Sequence, residues 1–289
     1  MKTIPTPLIC VVIAVKNSAR TIGRAVESYA AQSLIEKELV VVDGASADGT
    51  IDILSRYRHI MDSFITEPDS GIYDAMNKGV RLGHADWFYF LGADDQFDAP
   101  NVLRRAADEL RSVSDRCLIV YGKVDVVNEV GATVVTVGCP WSDPLRREMR
   151  YRMPLCHQGM FHRRRLFTEL GGYNTDFKIA GDHELLLRSL KYTSPKFLSG
   201  VTVAKMSCGG ITGSGANVRQ LLSEISTSCA VNDVQPNSWR LGLSHARASC
   251  RRAMQTVLGV SLAGYLVDGL RAIIGRPRYW SKLRPSSTQ

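Results

Sequence analysis

The stretch Trp87-Phe88-Tyr89-Phe90-Leu91-Gly92-Ala93-Asp94-Asp95 decides the fold. An apolar and aromatic run passes through a small Gly-Ala step into two adjacent carboxylates. A run that short, bounded by glycine, reads as a strand buried on both faces of a largely parallel sheet. Acids at its carboxyl end then lie where open α/β sheets take their ligands, just outside the strand ends. Two neighbouring carboxylates repel each other unless a cation or a hydrogen-bonding ligand intervenes. Hard oxygen donors suit Mg²⁺ or Mn²⁺, which are commonly held by one or two carboxylates plus substrate phosphates. The alternative is a solvated acidic turn, and the neighbouring segments decide between the two.

Upstream, residues 8–15 are apolar and β-branched, which predicts a first strand. Ser18 is placed to cap a helix running to about Gln32, with Ile22, Val26, Tyr29 and Ala30 on one face. Residues 38–42 predict a second strand ending at Asp43-Gly44, and Asp48 is placed to cap the helix holding Ile51, Ile53 and Leu54. A short strand at 64–66 and a helix over 72–82 follow. Strand and helix alternating in this way is the pattern of a sheet with crossover helices. Downstream the rhythm changes. Residues 117–127 and 132–137 read as an antiparallel pair, 159–162 as a short strand, and 163–170 as a helix stopped by Gly171-Gly172. Helices over 182–192 and 217–232 flank a strand over 196–206, and from Trp239 the sequence is helical and basic.

The chain has 289 residues and a formal charge of +8. That charge is localised. Residues 1–239 hold 27 Lys and Arg against 27 Asp and Glu, whereas 240–289 hold 9 against the single Asp268. The body is neutral and the tail carries the basicity, without the aromatic interleaving of a nucleic-acid binder. Met1-Lys2-Thr3-Ile4-Pro5 is followed by only a short apolar run broken at Lys16, so no secretory leader is expected. Seven scattered cysteines without metal-type spacing point to reduced thiols and a cytoplasmic setting.

Asp43 closes the second strand, Asp94 and Asp95 a later one, and Asp69 and Asp74 lie between. Singly, such acids cap turns. Together they line one edge of one sheet, a layout suited to a nucleotide diphosphate.

Four segments then resemble, in order and spacing, the inverting family 2 glycosyltransferases of the GT-A fold. They are residues 11–17, the run Val40-Val41-Val42-Asp43-Gly44-Ala45-Ser46-Ala47-Asp48-Gly49-Thr50, the run from Glu67-Pro68-Asp69-Ser70-Gly71-Ile72-Tyr73-Asp74 to Asn77-Lys78-Gly79, and Phe90-Leu91-Gly92-Ala93-Asp94-Asp95. The resemblance covers about 8–215. It implies a GT-A α/β domain over 1–235, with a nucleotide-sugar half to about 115 and an acceptor half from 116, then a helical tail over 236–289. It also implies a nucleotide-sugar donor and a Mn²⁺ or Mg²⁺ cofactor. Ala14, Asn17, Asp43, Asp74, Lys78 and Asp94 become donor contacts, with Asp43 at the nucleobase. Asp95 becomes the metal ligand, although Gln96 follows the pair and the motif is not a strict Asp-x-Asp. Asp74 and Lys78 lie four apart on a helix, so a surface ion pair is their other reading.

In the second half, Ala180-Gly181-Asp182-His183-Glu184 opens a helix after a glycine-rich turn. The resemblance makes Asp182 the catalytic base; the alternative is a helix N-cap. Cys156-His157-Gln158 matches another family segment, which puts His157 near the metal or the diphosphate, or in a place to orient the acceptor; the alternative is a structural histidine at a strand start. Gly209-Gly210-Ile211-Thr212-Gly213-Ser214 is a candidate phosphate loop.

The tail holds an apolar run at 257–274 in which Ser261, Gly264, Asp268 and Arg271 form a narrow polar wedge. Two charges inside a membrane span would cost about 2.5–3.5 kcal/mol each near its centre. An interfacial helix with a basic, aromatic anchor on the inner leaflet is therefore preferred. The alternative is packing on the catalytic domain or on a second copy as a homodimer. Acceptors of such bacterial-type enzymes are often glycans or lipid-linked glycans at that leaflet, which fits a peripheral location. Two rivals remain. A sugar nucleotidyltransferase would carry a basic glycine-rich loop after strand one, where Ala14-Val15-Lys16-Asn17-Ser18 has no glycine. A non-catalytic sugar-binding protein would not need Asp182.

Overall fold

Ile9–Val15 is apolar throughout and forms β1, every residue buried. The computed structural model describes residues 7–208, 217–273, 275 and 278–282. Lys37–Asp43 (β2) and Trp87–Phe90 (β4) pair in parallel on either side of β1, and Ser63–Thr66 (β3) adds to β2 in the same sense. All four therefore present their carboxyl ends on one edge of the sheet. The second half of the chain extends the same sheet rather than starting another. Met160–Arg163 (β8) runs antiparallel to β4 and to Ile119–Val127 (β6). Lys196–Ser207 (β9) lies parallel to β6, while Gln96–Phe97 (β5) pairs antiparallel with β9 and Thr133–Val137 (β7) with β6. The order is β3-β2-β1-β4-β8-β6-β9-β5, with β7 branching from β6.

The strand alternation divides the core into two layers. Ile9, Val11, Ile13, Trp87, Tyr89 and Leu91 face one side, where Ile22–Ala30 (α1), Thr50–Arg56 (α2) and Val102–Leu110 (α4) cover them. Cys10, Val12, Phe88 and Phe90 face the other, against Ile72–Leu82 (α3), Arg164–Leu170 (α6), Gly181–Ser189 (α7) and Val218–Val231 (α8). Burying each large side chain in such a layer contributes about 1.5–3 kcal/mol. Gly79 lets α3 lie tight on the sheet: a Cβ there would sit 2.2 Å from a Val12 methyl. That close approach aims the start of α3 at the sheet's ligand edge.

Asp143–Glu148 (α5) and Ser238–Ile273 (α9) complete the helices. The strand over 87–90 is buried on both faces, as its composition predicts. Ser18 does not cap a helix. α1 begins at Ile22 without a side-chain cap, because the Ser18 hydroxyl turns back to the Lys16 carbonyl and its N–H is taken by the Thr50 hydroxyl. Asp48 does serve α2, accepting the Thr50 N–H at 3.0 Å, and it also accepts the Ala19 N–H at 3.0 Å.

Candidate active site

The loop after β1 and the turn after β2 are stitched together at the sheet edge. Asn17 adopts a left-handed backbone (φ 50°), which lets its N–H reach the Ser46 hydroxyl at 2.8 Å while its side-chain oxygen accepts the Ala47 N–H at 2.9 Å. Ala14 sits beside Val42 in register and presents only a methyl group. Asp43 has no exposed surface. Its carboxylate accepts hydrogen bonds from the Ser46 hydroxyl, the Ser46 N–H at 3.0 Å and the Thr66 hydroxyl at 2.7 Å. It braces the turn in this state, and a nucleobase would reach it only by displacing one of those partners.

Asp74 and Lys78 are committed to each other. Lys78 Nζ lies 3.5 Å from Asp74, 2.8 Å from Glu67 and 2.8 Å from the Pro68 carbonyl, and Asp74 accepts the Ser70 N–H. The ion-pair reading of this spacing therefore describes their contacts. They shape the loop over residues 67–71 rather than presenting free groups to a ligand. Asp69 accepts the Gly71 N–H and lies over Gly44, whose missing side chain makes room for it.

Asp94 is exposed at the rim while Asp95 points inward and is 2% exposed. Gly92 makes this possible, because a Cβ there would stand 2.3 Å from an Asp95 oxygen. Asp95 accepts the Ser207 N–H at 2.9 Å, and the Ser207 hydroxyl donates to the Asp94 carbonyl at 2.7 Å, which ties the pair to the end of β9. Burial first and the Asp94 charge second push the Asp95 carboxyl up to about 7, partly offset by Ser207 and the Gln158 side chain. A buried acid held against a second carboxylate, with few donors to satisfy it, fits a divalent cation. Among the described residues no three His, Cys, Asp or Glu side chains gather around one point. A cation at Asp95 would thus take most of its ligands from substrate and water, as Mg²⁺ commonly does.

Asp182 lies in the first turn of α7. The N-cap position is Ala180, so the cap reading does not describe Asp182. Its Oδ1 accepts the His183 N–H and lies 3.3 Å from the Tyr73 hydroxyl. The half-buried Cys156 thiol is pushed up to about 12, chiefly by desolvation, with the charges of Asp95 and Asp182 contributing. Phe90 at the end of β4 packs on Tyr173, Tyr173 stacks on Tyr73, and the Tyr73 hydroxyl reaches Asp182, so the end of β4 and the start of α7 flank one site. His157 stands between them in an aromatic cluster. Its Nε2 pairs with the Tyr173 hydroxyl at 2.9 Å and its ring stacks on Phe90. Burial lowers its pKa, against the pull of Asp182. Nε2 is thus occupied by Tyr173, which leaves Nδ1 as the ring nitrogen for any other contact of His157. His183 is structural, bridging the Ser228 hydroxyl and the Met149 carbonyl.

Tyr73, Gln158 and Ser207 all touch this site and were not assigned from sequence. Gln158 sits beside His157, and Tyr73 beside Asp74, in segments already singled out, whereas Ser207 carries no local signal. The glycine-rich candidate at 209–214 lies outside the described residues.

The family model for glycosyl transferase family 2 matches residues 10–171. The chain belongs to that family. It is 31% identical over 188 residues to a PGL/p-HBAD biosynthesis glycosyltransferase of Mycobacterium tuberculosis, a match covering 63% of this chain and 69% of the relative. Among solved structures it is similar to S. aureus TarS 1-349 in complex with UDP-GlcNAc (TM-score 0.60, 18% identity, 88% of this chain and 75% of that one). Against a longer TarS chain it spans 40% of the length. It is also similar to a mannosyltransferase from Pyrobaculum calidifontis in complex with GDP-Man and Mn²⁺ (TM-score 0.57, 18% identity, 96% of this chain and 84% of that one). The family 2 transferase thus carries the GT-A fold that its motifs imply, and it is an enzyme of the glycosyltransferase class.

The tail of this transferase is a long helix with a clip. α9 bends at Gly259, where φ is 77°. Asp268 is buried and accepts the N–H groups of Tyr279, Trp280 and Ser281 and the Ser281 hydroxyl. Burial raises its pKa, but those bonds more than offset the effect and leave it below the usual carboxylate range. Gly264 packs against the Trp280 backbone, and the Arg251 guanidinium lies 3.8 Å from the Trp280 ring centroid. Gly264 and Asp268 of the polar wedge thus face the returning segment over 278–282. Val257, Leu262, Tyr265, Leu266, Leu270 and Ile273 remain exposed.

Proposed function

We propose that this enzyme moves a sugar from a nucleotide-sugar donor to a hydroxyl group on a glycan or lipid-linked acceptor, with inversion at the anomeric carbon. The observation that carries the reading is the run of contacts from the end of β4 to Asp182: Phe90 packs on Tyr173, Tyr173 stacks on Tyr73, and the Tyr73 hydroxyl lies 3.3 Å from Asp182. In the displacement, the anomeric carbon–phosphate oxygen bond breaks as the bond to the acceptor oxygen forms, and the acceptor proton passes to a carboxylate. Asp182 is the group for that proton, held at a helix start and half-buried. Asp94 and Asp95 would hold Mn²⁺ or Mg²⁺, which when bound supplies positive charge against the departing diphosphate. Asn17, Ala14 and Asp43 frame the nucleoside end, and the loop braced by Asp74 and Lys78 closes that side. The solved GT-A relatives carrying UDP-GlcNAc, or GDP-Man with Mn²⁺, support a nucleotide-sugar donor.

Residues 1–235 form the transferase domain in this reading, and 236–289 form a membrane-directed tail. α9 is long and apolar enough to cross a membrane by length and composition, and only 17% of its most apolar window is buried. Asp268, spent on the clip, keeps its charge beside the returning segment. The helix therefore lies in the interface of an anionic leaflet, its apolar side in the lipid and its arginines at the headgroups.

A thermal-shift screen of UDP-, GDP-, dTDP- and CMP-sugars with Mn²⁺ or EDTA tests the donor site, since a ligand of the native state raises its melting temperature. A metal-dependent rise with one nucleotide class is expected. Equal shifts with EDTA would contradict the metal role, and no shift with any of them would favour a scaffold without donor binding.

A further inference from the structure

Glu224, Ser228 and Asn232 fall four residues apart on α8 and its C-terminal cap, a spacing that aligns side chains on one helix face. All three reach the beginning of α7. Glu224 accepts the N–H groups of three consecutive residues leading into that helix: Lys178 at 3.1 Å, Ile179 at 2.8 Å and Ala180 at 2.9 Å. Ser228 bonds the His183 ring at 2.8 Å, and Asn232 donates to Glu184 at 3.3 Å. Asp182 sits in the middle of the residues so held.

The grip fixes the segment that leads into α7. The helix starts at Gly181 after the cap position Ala180, so the N–H groups that Glu224 accepts belong to the two residues before the cap and to the cap itself. Glu224 brings them a carboxylate from another helix, and charge-assisted bonds of this kind are roughly twice as strong as neutral ones. Its Oε1 is further fixed by the Gln220 amide at 2.9 Å. From the opposite side the Tyr73 hydroxyl holds the Ile179 carbonyl at 2.7 Å. The Ile179–Ala180 peptide unit, two residues ahead of Asp182, is therefore clamped on its N–H side by α8 and on its carbonyl side by α3.

We infer that Glu224 is a positioning residue for the transfer reaction, fixing through the backbone of residues 178–180 the place from which Asp182 takes the acceptor proton. This rests on Asp182 being the base. Glu224 touches none of the donor-side residues on β1, β2 or β4, so its removal separates proton transfer from donor binding. A displacement of about 1 Å in a catalytic group can cost on the order of a hundredfold in rate.

The test compares Glu224→Gln and Glu224→Ala with the wild-type chain. Turnover is read as release of nucleoside diphosphate from the nucleotide sugar selected by the thermal-shift screen, with water as acceptor, and donor affinity is measured separately. The glutamine variant keeps the shape and one acceptor oxygen, and loses about tenfold in turnover; the alanine variant loses about a hundredfold. Donor affinity stays within about twofold in both. If the alanine variant fails to fold, the glutamine variant decides alone. Turnover within about twofold of wild type in Glu224→Gln overturns the inference. So does a loss of turnover matched by an equal loss of donor affinity. Asp182→Asn separates the inference from the reading beneath it. If that variant turns over normally, the base assignment fails and this inference with it. If Asp182→Asn is inactive while Glu224→Gln is normal, this inference alone fails. In the Asp182→Asn background, Glu224→Gln should produce no further loss.

Discussion

The Tyr73 hydroxyl donates to the Ile179 carbonyl at 2.7 Å and stands 3.3 Å from Oδ1 of Asp182. Tyr73 belongs to α3, whose start shapes the donor side, and Asp182 belongs to α7 on the acceptor side. Burial, with the Asp182 charge second, holds the phenol well above its usual pKa, so it stays a donor. Its ring packs on Gly181, where a Cβ would lie 2.7 Å away, and stacks on Tyr173 with centroids 5.3 Å apart. One side chain thereby joins the two halves of the site.

Tyr73→Phe keeps the ring and removes the bond. We expect stability to fall by about 1 kcal/mol, as for a typical lost hydrogen bond. Turnover should fall about tenfold with donor affinity unchanged, which a kcat and Kd comparison would check. Unchanged turnover would mean that the Asp182 geometry does not depend on this hydroxyl.

Asp95 sets a pH dependence. Its carboxyl rises on folding from 3.8 to about 7. A carboxyl raised in this way contributes stability that is fully present below its unfolded value and is lost as pH climbs through 7. The loss for the metal-free protein is on the order of 2–4 kcal/mol by linkage. Denaturant melts in EDTA at pH 5 and pH 8 should show Asp95→Asn gaining on wild type at the higher pH. Mn²⁺ should narrow that gap by stabilising only wild type. A difference independent of pH would contradict the assignment of the raised pKa to Asp95.

Gly92→Ala tests the fold of the acidic pair itself. The new Cβ would meet an Asp95 oxygen at 2.3 Å and must push the carboxylate out of its place beside Ser207. Overpacking of this kind costs about 1–3 kcal/mol. Metal-dependent donor binding, measured by calorimetry, should weaken by at least about tenfold, or roughly 1.4 kcal/mol.

Leu266 and Leu270 stand exposed on α9, 46% and 62% respectively. Replacing both with glutamate should lower co-sedimentation with anionic vesicles at least about tenfold while leaving the melting temperature of the transferase domain in place. Retained vesicle binding together with a changed oligomeric state would instead assign this face to a second copy of the chain.

The sheet was legible because its inner strands announce themselves. Residues 9–15, 39–42 and 87–91 are continuous apolar runs, the last two leading into Asp43 and Gly92, and the helices between them carry clear periodicity. β5 was not legible, since Gln96-Phe97 becomes a strand only by pairing with β9, more than a hundred residues away in sequence. The same distinction holds in the site. Asp43, Asp94, Asp95 and Asp182 sit at element ends, where sequence position implies a role. Whether each is open or already partnered depends on the neighbouring Ser46 and on Thr66, Ser207 and Tyr73, which arrive from distant segments. Ser18 illustrates the converse: its hydroxyl turns back to the Lys16 carbonyl and the helix starts later, at Ile22, so a good local cap goes unused. Glu224 did leave a trace, a polar stripe at 220, 224, 228 and 232, but its partner helix could not be read from that spacing.

The most direct test of the account is Asp182→Asn, with donor affinity and turnover measured on the same preparation. The substitution keeps the size and the acceptor oxygen facing the His183 N–H and removes the ability to take a proton. Unchanged donor affinity with turnover reduced at least about a hundredfold is the predicted result for loss of a general base. Turnover at the wild-type level would contradict it and return Asp182 to a structural place at the start of α7.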